Sequence, residues 1–238
     1  MSAVYLIRHG QAGGRDNYDV LSDLGKEQAA LLGRHLAAHE PAFSAVVCGG
    51  MNRQRLTAEI ACQAMKESGA EHPDVISDDR WNEFSLASVY RALAPRLCEE
   101  SPEFARDLAE MQETIRLDPH ATRGAVGRCD AAMVRVWIEN RYPDYEGESW
   151  RSFSSRIRAC FAELAGQDHG GAVAVFTSAT PITVLTGLAL NMADDELLRI
   201  AGVLYNSSMT VIRVSDGNHR LLTFNSTPHL PSPRRTFR

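Results

Sequence analysis

The sequence reads AVYLIRHG at residues 3–10, close to its amino terminus. Residues 3–7 are apolar and include several β formers, which predicts a short buried strand of a parallel sheet. The apolar run stops at Arg8, so Arg8, His9 and Gly10 are expected just past the carboxyl end of that strand. Ligands of open α/β sheets bind at this edge. The stretch therefore predicts an α/β fold and indicates where its functional site should lie.

Strand and helix patterns alternate on both sides of a long helical middle. Helices are expected after Ser22, an N-cap residue, and at about residues 52–67, 149–165 and 181–190. Strands are expected at residues 45–48, 75–76, 172–177, 203–205, 209–214 and 220–225. This alternation predicts an α/β fold in three layers, with a mostly parallel central sheet flanked by helices.

Residues 86–142 differ, because apolar residues recur there at helical spacing and no strand pattern is found. We interpret them as an inserted helical cap of about two to four helices within a single domain that spans residues 1–238. Such a cap would close over the pocket and determine which substrate is accepted. The tail at residues 228–238, which contains the sequence PSPRR, is predicted to be flexible.

The bulk composition argues against several classes of function. The 238 residues carry a net charge of −5, which argues against a nucleic-acid-binding protein. An anionic substrate would therefore need a local basic pocket. The five cysteines are widely spaced without a C-x-x-C pair, which argues against a disulfide framework or a zinc site. Neither a signal-peptide pattern nor an apolar run of membrane-spanning length occurs. We therefore expect a cytoplasmic protein without nucleic-acid or membrane partners, and the oligomeric state stays open.

The residues after the first strand carry the chemistry of a phosphate site. A histidine at a strand end can present one ring nitrogen as a nucleophile while a backbone carbonyl holds the other, which suits His9. Arg8 can bind phosphate oxygens bidentately, and Gly10 lets backbone approach a ligand. Alone, such a triplet is more often a turn with an incidental histidine. Arg53, in the first turn of the predicted helix at the same sheet edge, favours the phosphate site over a solvated arginine.

Four further motifs follow in order: LSDLGKEQA at residues 21–29, RQRLTA at 53–58, GES at 147–149 and NSS at 206–208. Together with the first triplet, they resemble the histidine phosphatase superfamily, which includes the cofactor-dependent phosphoglycerate mutases. The resemblance covers most of the chain. It implies a phosphomonoesterase that acts on a small phosphorylated substrate and needs no metal or other cofactor.

The resemblance also implies roles for individual residues. His9 would be phosphorylated and then released by water, while Arg8 and Arg53 would hold the phosphoryl oxygens. Glu83, in RWNEF at residues 80–84, stands where the family has its proton donor. The flanking aromatic residues would raise the pKa of its carboxyl, as a proton donor requires. Asp78 and Asp79 stay open as alternative donors.

One position departs from the family pattern. The family carries a second histidine in a stretch similar to TSATPI at residues 177–182, where this chain has Ser178. A hydroxyl is a neutral donor, roughly half as strong as an imidazolium, and losing one transition-state donor costs on the order of 100- to 1,000-fold in rate. We therefore expect Ser178 to bind substrate in an enzyme of low activity. A non-catalytic binder of phosphate ligands remains an alternative, and a phosphomutase is less favoured.

The loop after Gly10 departs as well. Arg15 stands where the family often has an asparagine, and Asn17 follows two residues later. Arg15 would either add positive charge to the pocket or be exposed, and the sequence does not distinguish these two interpretations.

Overall fold

The computed structural model describes residues 2–215 and 217–237. Its strands are β1 (Ser2–Arg8), β2 (Phe43–Cys48), β3 (Val75–Ser77), β4 (Ala172–Thr177), β5 (Met209–Ser215) and β6 (Asn218–Ser226). Its helices are α1 (Asp23–His39), α2 (Asn52–Glu67), α3 (Leu86–Glu100), α4 (Pro102–Leu117), α5 (Ala125–Ile138), α6 (Trp150–Gly166), α7 (Ala179–Leu190) and α8 (Leu198–Ala201). No helix within the described residues is long and apolar enough to span a membrane.

The strands form one six-stranded sheet in the order β3-β2-β4-β1-β5-β6. The four strands from β3 to β1 are parallel, and β5 and β6 complete the sheet in antiparallel orientation. The predicted fold class, a mostly parallel sheet flanked by helices, is confirmed. Arg8 is paired with Thr177 in register, so the residues that follow both strands leave the sheet side by side.

Alternate residues of β1 face two different helical layers. Ile7 belongs to a buried cluster with Leu32 of α1, whereas Leu6 packs in the opposite cluster with Ile157 of α6 and Ile182 of α7. Because the strand is covered on both faces, its side chains from Val4 to Ile7 are hydrophobic, and the hydroxyl of Tyr5 donates to Glu40. This burial accounts for the continuous apolar run that the sequence shows there.

The segment between β3 and α6 forms three helices, α3 to α5, and shares the core of the sheet domain. Phe84 stacks on Trp137 of α5 with ring centroids 4.1 Å apart. Trp137 in turn lies 5.6 Å from the ring of Phe153 in α6. These aromatic contacts join the helical insertion to the helix that covers the sheet.

Residues 203–205 were predicted as a strand, and this prediction is wrong. They belong to the loop before β5, where the side chain of Leu204 is fully buried at 0% exposure. Its carbonyl oxygen accepts a hydrogen bond from Nη1 of Arg8 and takes no part in the sheet. The apolar run therefore reflects burial in a loop rather than strand pairing.

The C-terminal segment also differs from its predicted flexibility, because residues 228–237 pack against the body of the protein. Leu230 is buried, and the carbonyl oxygen of Thr236 accepts from the backbone amide of Asn206 at 2.7 Å. Nε2 of Gln28 donates to the carbonyl oxygen of Arg234, also at 2.7 Å. The polar, proline-rich composition resembles that of a disordered tail, but its backbone groups find partners in the fold.

Candidate active site

His9 lies at the carboxyl edge of the sheet, where hydrogen bonds of its backbone groups to two other segments fix its position. Its amide donates to the carbonyl oxygen of Thr177 at 2.9 Å, and its carbonyl oxygen accepts from the amide of Ser207 at 3.1 Å. The side chain is buried at 1% exposure, and Nδ1 lies 2.7 Å from the carbonyl oxygen of Gly10. Since a carbonyl only accepts, Nδ1 carries the proton and Nε2 keeps its lone pair. Burial and two neighbouring arginines lower the pKa of His9 well below its usual value, so the ring stays neutral.

The motif residues around His9 shape the loop rather than face the pocket. The amide of Gly10 donates to Oγ1 of Thr57 at 3.0 Å, and the amide of Gln11 donates to Oε1 of Gln28 at 2.8 Å. A Cβ atom on Gly10 would lie 2.4 Å from the carbonyl oxygen of Gly25, and one on Gly25 would lie 2.1 Å from that of Gln11, so both positions require glycine. These contacts explain why LSDLGKEQA and RQRLTA accompany Arg8-His9-Gly10 in the sequence.

Two buried arginines converge on His9. Nε of Arg53 donates to Nε2 of His9 at 3.3 Å, and Nη1 of Arg53 donates to Oδ1 of Asp19 at 3.0 Å. The guanidinium of Arg53 also lies 4.8 Å from the ring centroid of Tyr18. Arg8 donates from Nη1 to Leu204, whereas its buried Nε has no partner. Both guanidinium groups can therefore bind oxygens of a phosphoryl group on Nε2.

Glu83 lies close enough to both arginines for their charges to interact with its carboxyl. Its Oε2 accepts from the amide of Thr180 at 3.0 Å, and its Oε1 accepts from the amide of Phe84 at 3.1 Å. Burial raises the pKa of Glu83, although these hydrogen bonds and the charge of Arg53 oppose the shift. Burial lowers the pKa of Arg8, and the nearby negative charge of Glu83 opposes that shift.

The alternative carboxylates are engaged elsewhere. Asp78 caps the short 3-10 helix at Asp79–Trp81 and pairs with the guanidinium of Arg80 at 2.7 Å, which holds the pKa of Asp78 below its usual range. Asp79 accepts from Nδ2 of Asn82 at 3.2 Å. Both have structural partners, so Glu83 is the carboxyl that the structure brings to Arg8 and Arg53.

Ser178 occupies the N-cap position of α7, directly after β4, and is buried at 1% exposure. Its Oγ accepts from Nε2 of Gln54 at 2.8 Å. Gln54 was not predicted from the sequence, although it follows Arg53 within RQRLTA. Asp19, which orients Arg53, was missed too, because a lone carboxylate in a loop gives no signal.

Arg15 is partly buried rather than exposed, and its charge is paired. Its guanidinium forms an ion pair with Asp130 of α5 and lies 5.7 Å from the ring centroid of Tyr90 in α3. The hydroxyl of Tyr90 also donates to Asp130, at 2.7 Å. Arg15 thus connects the loop after His9 to the helical insertion. Among the described residues, no group of three or more His, Cys, Asp or Glu side chains could hold a metal ion.

Residues 4–133 and 122–227 match the model of the histidine phosphatase superfamily, branch 1. Similar solved structures include YhfR of Bacillus stearothermophilus, with 20% identity, a TM-score of 0.66, and coverage of 96% of this chain and 99% of that one. Phosphoglycerate mutase of Bacillus anthracis str. Sterne has 20% identity, a TM-score of 0.61, and coverage of 96% and 94%. A mycobacterial glucosyl-3-phosphoglycerate phosphatase with inorganic phosphate has 21% identity, a TM-score of 0.61, and coverage of 96% and 99%. At these identities the likeness shows a shared fold. No curated protein matches the chain.

Proposed function

Because the chain belongs to the histidine phosphatase superfamily, branch 1, we propose that it is a phosphomonoesterase that forms a phosphohistidine at His9. One observation carries the proposal. The proton of His9 is held on Nδ1 by Gly10 at 2.7 Å, while Nε2 faces the guanidinium of Arg53 at 3.3 Å. A neutral imidazole whose lone pair lies on Nε2, beside two phosphate-binding cations, is the arrangement that attack on a phosphate ester requires.

In the first step, the lone pair of Nε2 attacks phosphorus and the bond to the ester oxygen breaks. The leaving oxygen takes a proton from Glu83, which burial favours in its protonated form. Arg8 and Arg53 bind the non-bridging oxygens, whose charge they balance. The products of this step are an alcohol, a phosphohistidine and an ionised Glu83.

In the second step, water attacks the phosphorus of the phosphohistidine. Glu83 takes a proton from that water, the nitrogen–phosphorus bond breaks, and Nε2 recovers its lone pair. Inorganic phosphate leaves, and both residues return to their starting protonation states. The same carboxyl therefore serves first as acid and then as base.

Ser178 supplies a neutral hydrogen-bond donor where the family has a second histidine, so we expect turnover to be slow. The substrate is a small phosphorylated molecule, a class that includes the compounds named for the mycobacterial phosphatase and the mutase. The insertion α3 to α5, which Arg15 connects to the catalytic loop, would select among such substrates. We further propose that the protein works in the cytoplasm and requires no metal.

The test is hydrolysis of p-nitrophenyl phosphate and of a panel of phosphorylated metabolites, with and without EDTA. We expect turnover that EDTA leaves unchanged and that His9→Ala abolishes. His120→Ala, which removes an exposed histidine, is the matched control and should behave as the intact protein. Equal turnover by His9→Ala would overturn the proposal. Thermal stabilisation by phosphate esters without turnover would instead favour a non-catalytic binder.

A further inference from the structure

Gln54 is fully buried at 0% exposure beside the proposed phosphate site, one residue after Arg53. Its Nε2 donates to Oγ of Ser178 at 2.8 Å and to the carbonyl oxygen of Trp81 at 3.3 Å. A backbone carbonyl only accepts hydrogen bonds, so the contact with Trp81 determines which end of the amide faces Ser178. Gln54 is thus a hydrogen-bond donor to the serine.

This contact determines what the Ser178 hydroxyl can do. A hydroxyl has one proton to donate and lone pairs that accept. Because Oγ accepts from Gln54, its proton must point elsewhere. Ser178 stands at the N-cap of α7, yet its side chain makes no capping hydrogen bond, and the amide of Thr180 is bound to Glu83 instead. Among the described residues, the Ser178 hydroxyl has no acceptor for its proton, so it is free to donate to a ligand.

The position of the serine makes a phosphoryl oxygen the natural acceptor. Arg8 and Thr177 are register partners in the sheet, so His9 and Ser178 are the next residues on adjacent parallel strands. The amide of His9 donates to the carbonyl oxygen of Thr177 at 2.9 Å, which keeps the two strand ends together. A phosphoryl group on His9 would lie between the arginines and this serine.

The fold accommodates Gln54 at a cost in stability. Its Oε1 is buried without a hydrogen-bond partner, and an unpaired buried carbonyl is unfavourable. A Cβ atom on Gly49 would lie 2.0 Å from Oε1, so position 49 must be glycine to make room for the amide. An unsatisfied group retained in a native protein is often tied to function.

We propose that Gln54 is a positioning residue that turns the Ser178 hydroxyl toward a phosphoryl oxygen, so that the two side chains together replace the imidazole found at position 178 in the family. The proposal rests on the phosphatase function proposed above. The Gln54–Ser178 pair is uncharged and does not titrate near neutral pH. Its contribution should therefore be a hydrogen bond made in the transition state rather than a charge.

The test is a double-mutant cycle with Gln54→Met, Ser178→Ala and the combined variant, measured with p-nitrophenyl phosphate. We expect Gln54→Met and Ser178→Ala each to lower kcat by about 10- to 100-fold with little change in KM, as loss of a transition-state interaction does. The combined variant should be no slower than Ser178→Ala, because Gln54 acts only through the serine. An equal loss from Gln54→Met in both backgrounds, or no loss in either, would overturn the proposal.

Stability separates this role from a structural one. Gln54→Met removes the unpaired carbonyl, so its Tm should equal or exceed that of the intact protein while kcat falls. Gln63→Met, on the exposed face of the same helix, should leave kcat unchanged. Gln54→Leu offers a second apolar side chain of similar size, and the same pattern is expected from it. A kcat loss that follows a fall in Tm in both Gln54 variants would contradict the proposal.

Binding of orthovanadate distinguishes failure of this proposal from failure of the proposed function. Vanadate resembles the transferring phosphoryl group and needs no turnover. Its affinity, measured by quenching of tryptophan fluorescence, should follow the same non-additive pattern in the four proteins. An intact protein without turnover that still shows this pattern would overturn the phosphatase function but support the pairing of Gln54 with Ser178. Additive losses of vanadate affinity would overturn the pairing.

Discussion

Arg53 donates a hydrogen bond from Nε to Nε2 of His9 across 3.3 Å. Its Nη1 donates to Asp19 across 3.0 Å at the same time, so the guanidinium is held from two directions. The proposed nucleophile and the proposed phosphate ligand therefore share a fixed geometry. The planar fork of arginine makes both contacts possible, whereas lysine has a single nitrogen.

Arg53→Lys should accordingly lower kcat by about 100- to 1,000-fold, even though the positive charge is kept. The physical reason is that an ammonium group cannot bind Asp19 and also reach a phosphoryl oxygen on His9. Steady-state kinetics with p-nitrophenyl phosphate check this expectation. Arg55→Lys is the control, because Arg55 is exposed and pairs with Glu59 at 2.8 Å. A lysine variant at position 53 with half the original kcat would contradict the prediction.

The pH profile of kcat/KM should have a limb on its alkaline side only. Glu83 must be protonated to donate, so the rate should fall as pH rises through its raised pKa. His9 has a lowered pKa and stays neutral well into the acid range, so protonation of the nucleophile should cause no loss just below neutrality. Rates from about pH 4 to 9 would show this shape.

Glu83→Gln is the control for that assignment. It should lower kcat by about 100- to 10,000-fold and remove the alkaline limb, because glutamine has the shape of the acid but no transferable proton. An alkaline limb that persists in Glu83→Gln would assign the titration to another group.

Gly25→Ala should destabilise the fold and distort the loop of His9. A Cβ atom there would lie 2.1 Å from the backbone oxygen of Gln11, which cannot move as a flexible side chain could. We expect a loss of about 1–3 kcal/mol in the free energy of unfolding, measured by urea denaturation. Gly166→Ala is the control, since no atom lies within 4 Å of its Cβ position. Equal stability of the two variants would refute the explanation given for this glycine.

The stability of the protein should fall as the solution is acidified below about pH 6.5, the ordinary pKa of histidine. Burial is the main reason that the pKa of His229 is lowered to about 3. Between these two pKa values, His229 is protonated in the unfolded chain and neutral in the folded chain. Stability is therefore lost progressively as the pH falls from the unfolded pKa to the folded pKa. Thermal denaturation across this range measures the effect. His229→Asn should show a shallower fall, and an unchanged slope would contradict the role of this residue.

Much of the fold could be predicted because local sequence and tertiary environment agree. Strand β1 is hydrophobic from Ala3 to Ile7, and α2 occupies the residues expected of it, Asn52–Glu67. Residues 203–205 misled the prediction because burial of Leu204 in a loop leaves the same apolar pattern as a strand. The packing of the tail was not predicted, because hydrogen bonds such as that of Asn206 to Thr236 depend on contacts between distant residues.

The candidate site was predictable only where a motif marks it. Arg8 ends β1, His9 follows it and Arg53 lies in the first turn of α2, and the structure brings them together with Glu83. Asp19 and Gln54 were missed, because their importance lies in partners that the sequence does not show. The proposed role of Gln54 depends on its hydrogen bond to Ser178, which follows a different strand and lies far away in the sequence. Such pairs require the geometry of the folded protein.

The position of β1 in the sheet has a consequence for how the protein is made. The strand that leads to His9 lies between β4, which begins at Ala172, and β5, which begins at Met209. During synthesis on the ribosome, β1 emerges early but lacks both neighbours until most of the chain has followed. An exposed apolar strand without its partners is prone to aggregation, and pairing between strands that are far apart in the sequence is slow. Ribosome-bound chains that end before β5 should therefore lack an assembled site and need protection by a chaperone.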